Sequence, residues 1–90
     1  MKISFDPAKR AWTLECRGLD FEDSAAVFEG PVFTFEDERQ DYGETRLTTF
    51  GLLGDRVVAV VWTPRSDARH VISMRKANER EKRRYFARMG

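Results

Sequence analysis

The residues of this chain best suited to chemistry are a single histidine, His70, and the arginines and lysine that crowd around and beyond it. His70 is the only side chain whose ordinary pKa lies near neutrality. Beside Arg69, Arg75 and Lys76 its charged form is disfavoured, leaving a neutral imidazole able to accept a proton. Glu44 and Glu81 are alternative bases, and Tyr85 can donate or accept a hydrogen bond. Such a set suits RNA cleavage without a metal, in which the neighbouring 2′-hydroxyl is the nucleophile. That reaction needs a base for the hydroxyl proton, cations over the phosphorane and an acid for the leaving 5′-oxygen. Each residue also has an ordinary structural use: His70 as a strand residue, Glu81 as a cap partner, Tyr85 as core, and Glu44-Thr45-Arg46 as solvated strand.

The charge distribution gives the cations a common purpose. Residues 68–90 hold eight Arg/Lys against two Glu, net +6, whereas the first 67 residues are net −5, so the overall +1 conceals a dipolar molecule. On a helix, Arg80, Arg84 and Arg88 recur every four residues and form one stripe. With Arg69 they make a candidate RNA-binding set, since the guanidinium fork pairs with phosphate oxygens. A solvated basic face is the plainer alternative for the helix alone. A polyanion would satisfy all these cations together, and nucleic acid is the obvious one.

The bulk properties narrow the classes. Ninety residues make one domain, 1–90, with one modest core. Seven Phe, two Trp and two Tyr exclude a disordered chain. One Cys and one His leave no disulfide framework and argue against a His/Cys zinc site, so no metal and no cofactor are expected. Neither a membrane-length apolar run nor the apolar centre of a signal peptide is present, and a cytoplasmic protein with no membrane partner is expected.

The elements that must position these residues can be read from period and punctuation. "KISF" alternates as a short strand. "DPAKRAWTLECRG" reads as a helix with Asp6 as cap, Pro7 in its first turn and Gly18 as its stop, and with Ala8, Trp12 and Cys16 as its buried stripe. "DFEDSAAVFEGP" repeats the pattern, Asp20 capping and Phe21, Ala25 and Phe28 lining one face. After Pro31 the period falls to two. "VFTFE" is followed by an acidic loop at 36–44, and two runs flank a Gly54-Asp55 hairpin turn. Val57 to Trp62 is apolar on both sides, as in a central strand. "ARHVISM" alternates, placing His70, Ile72 and Met74 on one face and Arg69, Val71, Ser73 and Arg75 on the other. Asn78 and Glu81 form a capping box for the last helix. The order β-α-α-β-β-β-β-α predicts an α+β fold, an antiparallel sheet with two N-terminal helices and one C-terminal helix packed on it.

Three stretches, "FDPAKRAWTLECRGLDFEDSAAVF", "DYGETRLTTFGLL" and "HVISMRKANEREKRRY", occur in an order and at separations that resemble the BrnT family of toxins from bacterial type II toxin–antitoxin systems. The likeness runs almost end to end. It implies a RelE-like ribonuclease fold and a toxin that arrests growth by cutting RNA, with or without the ribosome. It also implies a partner, a BrnA-like ribbon-helix-helix antitoxin that binds the toxin and, as the complex, operator DNA. Glu44, Arg46, Arg75, Lys76, Glu81 and Tyr85 match the family pattern. The chain departs from it at Thr13, where Asn is usual, at Cys16-Arg17-Gly18, where Lys-His-Gly is usual, and at His70, where Arg is common. The competing reading is a non-catalytic nucleic-acid-binding or complex-forming module on the same fold. A purely structural protein with a basic surface helix accounts least well for the charge.

Overall fold

The computed structural model describes residues 2–37 and 43–89. Within the described residues the elements run β1 (Lys2–Phe5), α1 (Pro7–Arg17), a 3₁₀ turn (Phe21–Asp23), α2 (Ser24–Glu29), β2 (Phe33–Glu36), β3 (Leu47–Leu53), β4 (Arg56–Arg65), β5 (Ala68–Lys76) and α3 (Glu79–Met89). The class is α+β. The five strands form one sheet in the order β1-β5-β4-β3-β2. It is mixed and not antiparallel: β2 to β5 pair antiparallel, but β1 lies parallel to β5, with Ser4 opposite His70. Turn signals predict only pairings between chain neighbours, and this one joins residues far apart in the chain. Of the acidic loop expected at 36–44, residues 38–42 lie outside the described residues.

Local chemistry explains the boundaries. Asp6 accepts from the Ala8 amide at 2.9 Å, Pro7 stands next to it, and Gly18 ends α1 at φ 69. Asp20 caps the 3₁₀ turn and also receives a two-pronged hydrogen bond from Arg10, both prongs 2.8 Å. That fork, with the Glu22 amide, holds the Asp20 carboxyl down at about 2 and ties α1 to the 3₁₀ turn. Gly54 opens the two-residue β3–β4 turn at φ 64, where such hairpins need a residue free to take positive φ.

The expected stripes of the first two helices are shifted. On α1 the buried residue is Thr13, while Trp12 is 54 % exposed and Ala8 and Cys16 also face solvent. The helix lies along the free edge of β5 beyond Phe5 and does not sit flat on the sheet, so only a narrow line of it is covered. Arg17 completes that contact by donating to the Met74 carbonyl at 2.9 Å, satisfying an edge acceptor that no strand reaches. Before α2, the tighter 3₁₀ turn resets the phase. Phe21, Ser24 and Val27 are buried, Phe28 is half-buried and Ala25 is exposed.

Two apolar clusters sandwich the sheet. On one face Leu19, Phe21 and Val27 pack against Val58, Val60, Trp62, Val71 and Met74. On the other, Tyr85 of α3 packs against Phe50, Val57 and Ala59. β4 supplies alternate residues to both, as its apolar run predicts, and each such side chain contributes on the order of 1.5–3 kcal/mol. Trp62 keeps its indole satisfied by donating to Thr49 Oγ1 at 2.8 Å. Gly51 lets α2 approach β3: an added Cβ would stand 2.7 Å from methyls of Val27 and Val32. Because Val27 is fully buried it has nowhere to move. Gly51→Ala is therefore expected to lower stability by about 1–3 kcal/mol, read as a thermal midpoint lower by roughly 4–8 °C per kcal/mol. An unchanged midpoint would mean the α2–β3 contact yields freely.

Candidate active site on the open half of the sheet

The geometry of β5 turns on one extra residue. Ser73 pairs with Val61 and Val71 with Trp62, so Ile72 is a bulge without an opposite number on β4. In a regular strand His70 and Arg75, an odd number of residues apart, would point to opposite faces. The bulge puts His70, Ser73 and Arg75 on the face of Ala59, Val61 and Thr63, and sends Val71 and Met74 into the opposite core. This corrects the unbroken alternation expected for "ARHVISM", which set His70 beside Met74 and apart from Arg75. The extra residue allows the strand to bury Val71 and Met74 together while keeping its imidazole and its guanidinium on one surface.

The apolar contacts of α3 cover the part of that face around Phe33, Phe50, Val57 and Ala59. Ser4, His70, Val61 and Ser73 lie beyond them, each half-buried. At one end His70 Nδ1 is 2.9 Å from Ser4 Oγ. Burial, then the charge of Arg65, pushes the His70 pKa below its usual 6.5, so the imidazole is neutral at neutral pH. Where the Nδ1–H donates to Ser4 Oγ, Nε2 carries the lone pair and can act as a base. Glu44 accepts from Arg65 at 3.5 Å, bringing the carboxylate and a cation to the same end. Arg46 precedes β3, and continuing the pairing of Leu47 with Trp62 sets it opposite Thr63, on the His70 face.

At the other end Arg75 makes a forked pair with Glu81, at 2.7 and 2.9 Å. Glu81 also accepts from the Asn78 amide at 2.9 Å while Asn78 Oδ1 accepts from the Glu81 amide at 2.8 Å, the complete capping box expected of α3. Hydrogen bonding from Arg75 holds the Glu81 carboxyl below the usual range. That contribution to stability is present above the unfolded carboxyl value and is lost as pH falls through the folded one. Arg75 and Glu81 line a cavity of about 250 Å³ with Phe35, Glu36, Asp37, Thr48 and Phe50. At ~3.3 Å per residue, His70 and Arg75 stand roughly 16 Å apart along β5, a little less across the bulge. They belong to two ends of one surface and do not share a single phosphate.

The remaining candidates lie elsewhere. Lys76 pairs with Val58 and so falls on the opposite face. Arg69 also faces that way, its guanidinium 4.2 Å from the Phe28 ring centre and 5.4 Å from that of Trp62, stacked as a lid on the core. Tyr85 is 1 % exposed and donates its hydroxyl to the Pro31 carbonyl at 2.5 Å. Arg80, Arg84 and Arg88 are exposed on α3, Arg88 resting 5.2 Å from the Phe33 ring centre. Ser4 and Arg65 are not among the expected site residues. The parallel pairing that delivers Ser4 leaves no local signature. Among the described residues no group of three or more His, Cys, Asp or Glu is placed to hold a metal ion, and no helix is long and apolar enough to cross a membrane.

This small α+β domain sets Arg46 and Arg65 at the His70 end of one sheet face and Arg75 at the other end of the same face. The chain belongs to the BrnT family: the family model described as ribonuclease toxin, BrnT, of type II toxin-antitoxin system matches residues 5–81. The match runs from the last residue of β1 to Glu81, and includes His70, Arg75 and the bulge between them. Membership of a type II system implies an antitoxin partner. No curated protein matches the chain.

Proposed function

We propose that this chain is a metal-independent endoribonuclease toxin, neutralised by a BrnA-like ribbon-helix-helix antitoxin and reaching operator DNA only through that complex. Its fold is read as RelE-like and its compartment as the cytoplasm. The observation that carries the proposal is the β5 bulge, which sets His70 and Arg75 on one face of the sheet inside the span matched to a ribonuclease family. In this reading His70 Nε2 takes the 2′-hydroxyl proton as the 2′-oxygen bonds to phosphorus, and Arg46 and Arg65 neutralise the phosphorane at the same end. The P–O5′ bond then breaks with water protonating the leaving 5′-oxygen, which leaves a 2′,3′-cyclic phosphate and a 5′-hydroxyl. Arg75 holds a phosphate further along the strand, after its fork exchanges Glu81 for phosphate oxygens. Tyr85 and Glu81 position α3 and Arg75, and Arg69 and Lys76 add positive field from the far face. Arg80, Arg84 and Arg88 extend the cationic track along α3.

The test is RNA cleavage by the partner-free, folded protein in EDTA, with the new ends typed chemically. The expected products carry 5′-hydroxyl and 2′,3′-cyclic or 3′-phosphate ends. Intact RNA, or cutting abolished by EDTA, would overturn the metal-independent reading. The second reading, a binding module without catalysis, has its own support: Glu81 already occupies the best phosphate fork. It predicts intact RNA and binding that weakens steeply with salt.

The two neighbouring cations of β5 separate by face. Arg75→Ala is expected to relieve growth arrest and slow cleavage by about tenfold or more, the loss of one charge-assisted contact. Lys76→Ala is expected to leave cleavage within about twofold, because its side chain leaves the open face. Equal losses at both positions would mean that RNA wraps the β5 end instead of lying across one face.

A further inference from the structure

Phe35 of the edge strand β2 lies on the same face as Arg75 and is only partly used by the fold. Phe35 of β2 is 45 % exposed on an edge strand, where a large apolar side chain invites aggregation. Its ring is nonetheless held in place. It lies 5.9 Å from Phe50 at an interplanar angle of 25°, and 6.5 Å from Phe33 at 28°. Phe33 in turn lies 6.1 Å from Tyr85 at 24°. Neighbouring rings of this array are inclined to one another by 24–31°, and Phe35 is its exposed outer member. It also lines the cavity it shares with Glu36, Asp37, Thr48, Phe50, Arg75 and Glu81.

We infer that Phe35 is a nucleobase platform: one unpaired base of single-stranded RNA stacks on its ring while Arg75 holds a phosphate beside it. This rests on the ribonuclease reading and adds to it a subsite for one nucleotide, away from the His70 end where the bond is cut. Three observations converge. A ring already packed against its inner neighbours and still 45 % exposed has little ordering left to lose when a base lies against it. The cavity edge joins that ring to a guanidinium, the pair of chemistries a nucleotide presents as base and phosphate. The separation of Arg75 from His70 along β5 requires that the strand be gripped at a second place if it is to lie across both. Duplex RNA, whose bases are stacked within the helix, could not use such a platform, so the preference is for unpaired RNA.

The test is equilibrium binding of a short 2′-O-methyl RNA, which has no free 2′-hydroxyl to react, to the full chain and to Phe35→Leu and Phe35→Trp. Phe35→Leu is expected to weaken binding by about fivefold to a hundredfold, the range for losing one base–aromatic stack. Phe35→Trp should bind as well as the parent or better. Because stacking involves no ion release, the Leu variant should keep the parent slope of log affinity against log salt. Replacing Arg84 and Arg88 by Ala should flatten that slope. A strand made abasic throughout should bind parent and Leu variant alike. Thermal unfolding of Phe35→Leu guards against misfolding, and its half-exposed position predicts a small change.

Equal affinity of parent and Leu variant for the base-bearing strand would overturn the platform and leave the ribonuclease reading standing. Failure of the parent to bind RNA at low salt would overturn both. If Phe35→Leu kept RNA affinity and lost only binding to a cognate antitoxin, the ring would be a protein-docking residue and the platform would be wrong.

Discussion

Replacing His70 by Gln is expected to slow RNA cleavage by about 10²- to 10⁴-fold, the usual contribution of a general base, with the fold retained. Gln keeps a side chain that can still meet Ser4 Oγ, so the loss isolates proton transfer from packing. The pH dependence gives the sign independently. Burial and Arg65 hold the folded His70 below its ordinary 6.5, so the base-competent neutral form persists into mildly acidic solution and the acid limb of the rate profile lies below 6.5. The same shift is a stability statement. In the window below 6.5 the unfolded chain binds more protons at this site than the folded one. Stability is therefore fully present above the unfolded value and lost as pH falls through the folded value. In the Gln variant that slope should vanish, whether or not RNA is present. If the variant cuts normally and the slope persists, the base is elsewhere, and Glu44, paired with Arg65 at the same end, is the next residue to replace.

Ser4→Ala separates positioning from chemistry at this end. It removes the hydroxyl that meets Nδ1 of the ring but leaves the imidazole itself. A fall in rate smaller than that of His70→Gln, with the acid limb moved, fits a positioning role. An unmoved profile would mean that the Ser4 contact is incidental.

Much of this architecture is legible in the sequence because local chemistry writes it plainly. Asp6, Pro7 and Gly18 bracket α1, Gly54 marks the hairpin, and Asn78 with Glu81 starts α3, each through interactions within a few residues. The features that assemble the candidate site are hidden because they are not local. Alternation in "ARHVISM" is a regular strand on paper; only pairing with β4 reveals that Ile72 is extra. Ser4 reaches His70 through a parallel contact between strands from opposite ends of the chain, and Arg69 turns inward because Phe28 and Trp62 offer it a stacked bed. The α1 stripe misleads for a related reason: periodicity measures which face is apolar, and an edge-docked helix covers less than a face. Thr13 and Arg17 are the residues α1 uses for that edge. One is buried and the other caps the Met74 carbonyl.

Tyr85→Ala is expected to remove about 3–5 kcal/mol of stability, as large aromatic-to-alanine changes in a core do. For a domain whose total lies near 5–15 kcal/mol this is a large fraction. The reason is the position of the ring. Tyr85 is the residue of α3 within the core formed with Phe50, Val57 and Ala59, and its hydroxyl fastens the helix to the Pro31 carbonyl. Loosening α3 also frees Glu81, and with it the orientation of Arg75. Tyr85→Phe asks a narrower question. It keeps the ring and removes one hydrogen bond to a carbonyl on an exposed residue that water can reach, so about 0.5–1.5 kcal/mol should be lost. Cleavage per folded molecule should be unchanged if Tyr85 positions α3. Denaturant titration gives the stabilities, and turnover normalised to the folded fraction gives the activity. A Phe variant that is fully stable yet inactive would put the hydroxyl at the reacting atoms, exposed by a movement of α3 on RNA binding. Loss of stability with activity retained would make Tyr85 the post on which the Arg75 end of the surface is hung.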